Sequence, residues 1–284
     1  MKKYIVILIA LVLLASIGFY FKDYILKSTK NLQPLNQLGD VVNEVKKQIF
    51  TPGPLNIGGA QNNVVLVKAK IIAQTNVQRY DNGTLPPLLE NAKLDAAAKA
   101  KADDMFAKQY FEHVSPSGVN PGSLVKSFGY DYVLEGENLI LGNFKSEAEI
   151  VNDWMNSPGH RANILNSRFT EIGVAIVKGT YQGQTVWISV QEFGLPLSAC
   201  SAPSVNLKNQ IDANKTNIDQ LSAQIDAKKA EIDNTNSHSS EYNAKVDEYN
   251  QLVAQYNALA QETKALIAEY NSQINVFNQC VSGT

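Results

Sequence analysis

Trp154-Met155-Asn156-Ser157-Pro158-Gly159-His160-Arg161-Ala162-Asn163-Ile164-Leu165 sets an aromatic anchor, a turn signal, a hydroxyl and an imidazole within a dozen residues. Ahead of it, Ile150, Val151 and Trp154 recur at helical spacing, and Ser157-Pro158-Gly159 reads as a helix stop. His160 is therefore expected just past a helix end. Two further short stretches stand upstream: Phe111-Glu112-His113-Val114-Ser115-Pro116 and Gly136-Glu137-Asn138-Leu139.

Together with Phe169-Thr170-Glu171-Ile172-Gly173-Val174, the His160 stretch resembles the second-histidine motif of bacterial CAP-superfamily (SCP/PR-1-like) extracellular domains. The His113 stretch resembles that family's first-histidine motif, and Gly136-Glu137-Asn138 its glutamate motif, in the same order. The resemblance spans residues 67–194 and implies an α+β fold, an α-β-α sandwich. It also implies a cleft lined by His113, Glu137 and His160. Eukaryotic members carry a second glutamate shortly before the second histidine; here that position falls at Ser157, which removes one carboxylate.

The surrounding periodicity fits such a domain. Residues 64–80 and 94–108 read as helices, the first closed by Asp81-Asn82-Gly83 and the second rich in alanine, with Met105 and Phe106 as bulk. A short helix is expected over 123–128, a strand over 132–140, a helix over 146–156, and two strands over 172–177 and 185–193. Trp154 and Trp187 read as core. Ser189 and Gln191 share a strand face opposite the flanking valines.

The 284 residues allow one sizeable core and something more, and a net charge of -2 with interleaved lysines argues against a nucleic-acid partner. Lys2-Lys3 precede an uncharged apolar run from Tyr4 to Phe21, about 27 Å long as a helix and so close to a bilayer core. Residues 1–21 are read as a membrane anchor or a signal segment; the poor cleavage site favours the single-pass anchor, and cleavage would give a secreted protein. Residues 22–63 read as a linker or stalk, with a short helix over 41–49 and turn chemistry in Thr51-Pro52-Gly53-Pro54 and Gly58-Gly59. The family is extracytoplasmic, and Cys200 and Cys280 are placed as a disulfide needs, so the body of the protein is assigned outside the membrane.

The CAP-like domain is assigned to 64–197 and a different segment to 198–284. Ile211, Ile218, Ile225 and Ile232 lie seven apart; after the turn-like 233–240, Val246, Val253, Ala260, Ile267 and Ile274 repeat the spacing. Two heptad series around a polar reversal read as an antiparallel coiled-coil hairpin, which also offers a route to oligomers. The rival arrangement is one long oligomeric rod. Asn214, Lys228 and Thr263 interrupt the apolar seam.

Three chemistries fit the candidate cluster His113, Glu137, Ser157 and His160. Two imidazoles can ligate zinc, with Glu137 completing or orienting the shell and open positions left for water. The same residues can form a hydrogen-bonded cleft that binds a ligand or cell-surface partner without turnover. Ser157, His160 and Glu137 can be arranged on paper as nucleophile, base and orienter of a hydrolase acting on envelope polymers or peptides, although no Gly-x-Ser-x-Gly elbow is present. His238 sits in the hairpin turn and reads as solvated. Glu112 and Arg161, beside the histidines, read as solvated or capping residues.

Overall fold

The computed structural model describes residues 48–60 and 63–283. The apolar run at 4–21, and most of the segment read as a stalk, lie outside the described residues. Among those described, no helix is long and apolar enough to cross a membrane. The chain divides into two compact units, one running to Cys200 and the other starting at Ser201. Each has apolar clusters of its own.

The first unit opens with two short strands, β1 (Gln48–Phe50) and β2 (Leu55–Gly58). Helix α1 (Lys68–Gly83) follows, then β3 (Leu89–Glu90), α2 (Ala92–Lys108) and α3 (Pro121–Ser127). Strand β4 (Tyr132–Gly142), helices α4 (Glu147–Asn156) and α5 (Pro158–Ile164), and the long hairpin β5 (Glu171–Tyr181) and β6 (Gln184–Pro196) complete it. The strands form one six-stranded mixed sheet in the order β1-β4-β6-β5-β3, with β2 also paired to β4.

Period-two alternation sends successive side chains of the central strands to opposite layers. Leu134, Ile140, Ile172, Val174 and Phe193 pack with Ile71, Ile150, Trp154 and Ile164 of α1, α4 and α5. Leu139, Ala175, Ile188 and Val190 pack with Ala98, Ala102 and Met105 of α2. Small residues let α2 approach the sheet closely: a Cβ at Gly173 would lie 2.1 Å from the Leu94 carbonyl carbon. This is an α+β fold with helices on both faces of the sheet, as expected. Trp154 and Trp187 are buried.

The structure differs from the sequence-based expectation at two places. Helix α4 does stop at Asn156, but Ser157 caps it and at once precedes α5, with Pro158 in the first turn. His160 therefore lies inside a new helix, not in a loop, because proline at a helix start lacks only an N–H that would go unused there. Residues 48–58, read as stalk, instead pair in parallel with β4, Gln48–Phe50 against Leu134–Gly136 and Leu55–Gly58 against Ile140–Gly142. Gln48 and Ile49 are strand and not helix. Prolines at 52 and 54 are tolerated because the segment lies at the sheet edge and its bonds run to one side only.

The second unit holds α6 (Val205–Asp233) and α7 (Ser240–Ser282). Ser204 caps α6 through its Oγ, and Asn234 to Ser239 reverse the chain. Leu207 and Ile211 pack with Tyr270 and Ile274, whereas Ile218 packs with Tyr256 and Ala260, so the helices run antiparallel. The seam residues of polar type find local uses. Thr263 is buried and bonds the Leu259 carbonyl at 2.7 Å, and Lys228 pairs with Glu231 and Glu248 at 2.9 and 2.8 Å. Cys200 and Cys280, the only cysteines of the chain, are both disulfide-bonded.

Candidate functional site

The site lies where the edge of β4 meets α5 and the loop after α2. His113 is fixed from below by Lys101, a buried residue of α2 whose ammonium donates to the carbonyls of Glu112 and His113 at 2.7 and 2.6 Å. Burial pulls the Lys101 pKa down, while the charges of Glu137 and Glu192 oppose that fall. Glu137 projects from β4 on the same side, and its Oε1 lies 2.6 Å from His113 Nδ1. The other ring nitrogen, Nε2, lies 2.5 Å from the carbonyl of Pro52. A carboxylate and a carbonyl therefore face the two nitrogens of one ring. Both contacts are hydrogen bonds only if the pair carries one proton beyond a neutral imidazole and a carboxylate.

The His113–Glu137 pair stands over a group of buried acids. Glu135, Glu137 and Glu192 are all fully buried, and antiparallel register sets Glu192 directly across from Glu137. Burial, reinforced by the charge on Glu137, pushes Glu135 and Glu192 well above the usual carboxylate range. Glu137 faces His113 and lies near Lys101.

His160 is placed differently. Its Nδ1 is 2.8 Å from Ser157 Oγ, and its buried Nε2 has no well-formed hydrogen bond. Burial lowers its pKa to about 4, the nearby His113 adds to the fall, and the Leu139 backbone acts in the opposite direction. The ring is neutral at neutral pH. Helix α5 is held by Arg79, which is buried and donates from Nη1 to the carbonyls of Ile164 and Asn166, both at 2.8 Å. On the other side Asn138 Nδ2 donates to the His160 carbonyl at 3.2 Å and to Gln191 Oε1 at 3.1 Å, and Gln191 Nε2 donates to Thr75 Oγ1 at 2.8 Å.

The candidate residues thus form two couples, His113 with Glu137 and His160 with Ser157. Glu137 does not orient His160, so the serine-histidine pair lacks the carboxylate of a hydrolytic triad. Nor do these residues, as arranged, fit zinc. His113 uses both nitrogens, His160 uses Nδ1, and among the described residues no three His, Cys, Asp or Glu side chains are grouped to hold a metal. Gln191 and Ser189 are structural: the first belongs to the buried amide network and the second donates to the Ala175 carbonyl at 3.0 Å. Glu112 is exposed, and Arg161 donates to Asn82 Oδ1 at 2.7 Å. Lys101 and Arg79 escape sequence reading, since a lysine in an alanine-rich helix and an arginine near a helix end read as solvated. The one available signal is that Lys101 lies among alanines on a face that α2 has to bury.

Residues 73–193 match the family model described as the cysteine-rich secretory protein family, CAP. This chain carries a CAP domain. The Bacillus subtilis (strain 168) protein YkwD, uncharacterised, is 44% identical over 119 residues, which are 42% of this chain and 46% of that protein. The uncharacterised membrane protein YlbC of the same organism is 31% identical over 112 residues, covering 39% of this chain and 32% of that protein. The matches therefore span less than half of either relative.

Among solved structures, an extracellular protein containing an SCP domain from Bacillus anthracis aligns with a TM-score of 0.38 and 28% identity, over 44% of this chain and 39% of that one. An outer surface protein of Borrelia burgdorferi aligns with a TM-score of 0.42 and 22% identity, over 48% of this chain and 99% of that one. The stretch matched by the family takes in His113, Glu137 and His160 of the CAP domain. It begins after β1 and β2, which lie outside the family match.

Proposed function

We propose that this protein is a membrane-anchored CAP-domain protein that works outside the cytoplasm and binds a ligand or cell-surface partner through the His113, Glu137 and His160 cleft, without turnover. The observation that carries this reading is the geometry of His113, whose outward nitrogen already holds a backbone carbonyl at 2.5 Å while its inward nitrogen is fixed by Glu137. A ring so arranged is a donor for recognition. The other imidazole is a weak base: with a pKa of about 4 it stands far below the value near working pH that general-base catalysis favours. The extracytoplasmic assignment draws on the disulfide-bonded cysteines, on the apolar run at 4–21 and on the description of YlbC as a membrane protein.

The test is a screen of the full chain against peptide, glycan and lipid libraries, with and without zinc, scoring both retained ligand and new products by mass spectrometry. Retention that His113→Ala weakens at least tenfold, with no product formed, is expected. Product formation that disappears in Ser157→Ala or His160→Ala overturns the reading in favour of a hydrolase.

A further inference from the structure

The outer edge of β4 is covered in an unusual way. Two short parallel strands, β1 and β2, pair with its two ends, and the four residues between them, Thr51 to Pro54, span the stretch of β4 from Glu137 to Leu139. Within this span Pro52 gives its carbonyl to His113 Nε2 at 2.5 Å, and next to it Phe50 accepts from Asn163 Nδ2 at 3.0 Å. Beyond the span, Gly58 accepts from the Asn143 amide at 2.7 Å. Every one of these contacts is made to the backbone of the segment. Backbone bonding along a free sheet edge is how proteins accept an added strand, with side-chain pockets supplying selectivity.

The side chains of the segment are lightly held. Ile49, Phe50 and Ile57 are 37%, 40% and 47% exposed, and of the large apolar side chains of the segment Leu55 is the one that packs, half-buried, against the main core cluster. The Phe50 ring meets Phe169 edge to face at 6.5 Å. The floor is shaped for close approach: a Cβ on Gly159 would lie 2.6 Å from the Pro52 Cβ. A proline-sized residue thus seats on the first turn of α5, one residue before His160.

We propose that the β4 edge and the His113 cleft form a docking groove for an extended polypeptide, and that residues 48–58 occupy it as an intramolecular strap which an incoming strand displaces. This rests on the ligand-binding reading above and names the ligand class. Backbone pairing with β4 and the half-buried Leu55 hold the strap, and its tether adds to them. A short flexible tether presents a segment at an effective concentration on the order of millimolar. A free strand of equal intrinsic affinity therefore competes poorly with the strap until the strap is loosened or cut.

The test uses three full-length proteins: wild type, the double variant Phe50→Asp/Ile57→Asp, and a chain with a specific-protease site inserted after Gly59 and then cleaved. The probe is a fluorescein-labelled peptide copying residues 46–60, followed by anisotropy, with the rate of diethylpyrocarbonate modification at His113 as an independent report on the cleft. Both opened proteins are expected to bind the peptide at least tenfold more tightly than wild type, to lose that binding on adding His113→Ala, and to expose His113 to faster modification.

Equal affinity in all three proteins overturns the proposal. So does loss of the folded domain after cleavage, judged by amide exchange of β4 to β6, because the segment would then be an integral strand. If the opened proteins stay folded and take up no peptide, but a glycan or lipid is retained through His113, the groove falls and the ligand-binding reading stands. If nothing is retained through His113, both fall.

Discussion

Glu137 holds His113 and not His160: its Oε1 lies 2.6 Å from His113 Nδ1, whereas His160 turns its own Nδ1 to Ser157. Replacing Glu137 by alanine leaves the His113 ring without its inner partner and removes a charge-assisted hydrogen bond from a fully buried position. Such bonds contribute about 2 kcal/mol, and relief of repulsion with Glu135 and Glu192 offsets part of the loss. Glu137→Ala is expected to lower stability by about 1 to 2 kcal/mol in urea unfolding and to release the Pro52 contact, seen as faster amide exchange in β1 and β2.

Glu192 gives the opposite result. Its folded-state pKa is raised well above the ordinary value of 4.5, so the folded chain keeps a proton that the unfolded chain gives up. With more protons bound in the folded state, stability falls as pH rises above 4.5, by up to about 1.4 kcal/mol per pH unit until the folded pKa is reached. Glu192→Gln keeps the shape and removes the titration. It should therefore leave stability near pH 4 almost unchanged and raise it at pH 8, measured by urea midpoints across that range.

His160 titrates with the reverse sign. Its pKa falls from 6.5 to about 4 on folding, chiefly through burial, so the folded chain binds fewer protons between those values. The stability this supplies is complete above 6.5 and is lost as pH drops through the window toward 4. In His160→Gln that loss on acidification should shrink by roughly 1 to 3 kcal/mol, an order-of-magnitude expectation for a shift of this kind. An unchanged acid limb would contradict the buried, neutral placement of the ring.

Gly159→Ala separates strap from fold. The added methyl would stand 2.6 Å from the Pro52 Cβ, and the strap carries few buried contacts with which to resist. Alanine also favours helix over glycine by about 1 kcal/mol. The expected outcome is a domain of unchanged or slightly higher stability, with β1 and β2 exchanging at least tenfold faster and His113 more reactive to diethylpyrocarbonate.

Reduction of the disulfide is expected to loosen the helical hairpin. On the chain-entropy account a closed loop of about 80 residues contributes up to roughly 4 to 5 kcal/mol. Polar residues along the seam, such as Lys228 and Thr263, leave the helix pair dependent on that closure. Peptide mapping without reductant should recover one Cys200–Cys280 species within a single chain, and reductant should lower the thermal midpoint of α6 and α7.

Much of the fold is legible in the residues because its elements are locally encoded. Alternating apolar residues mark β4, β5 and β6, alanine density marks α2, and the seven-residue spacing of isoleucines marks the hairpin. The motif stretches likewise mark His113, Glu137, Ser157 and His160. Sequence spacing cannot say which carboxylate serves which imidazole, since that depends on β4 presenting Glu137 beneath the loop after α2 while α5 carries His160 past it. Nor can it reveal Lys101 as a buried donor or Glu192 as a buried acid whose pKa is pushed up, because burial is a property of the layers closing over the sheet. The strap is the clearest case. Thr51-Pro52-Gly53-Pro54 has the composition of a linker, and the chain takes strand form at either side of it only because the edge of β4 offers unpaired backbone groups that must be satisfied.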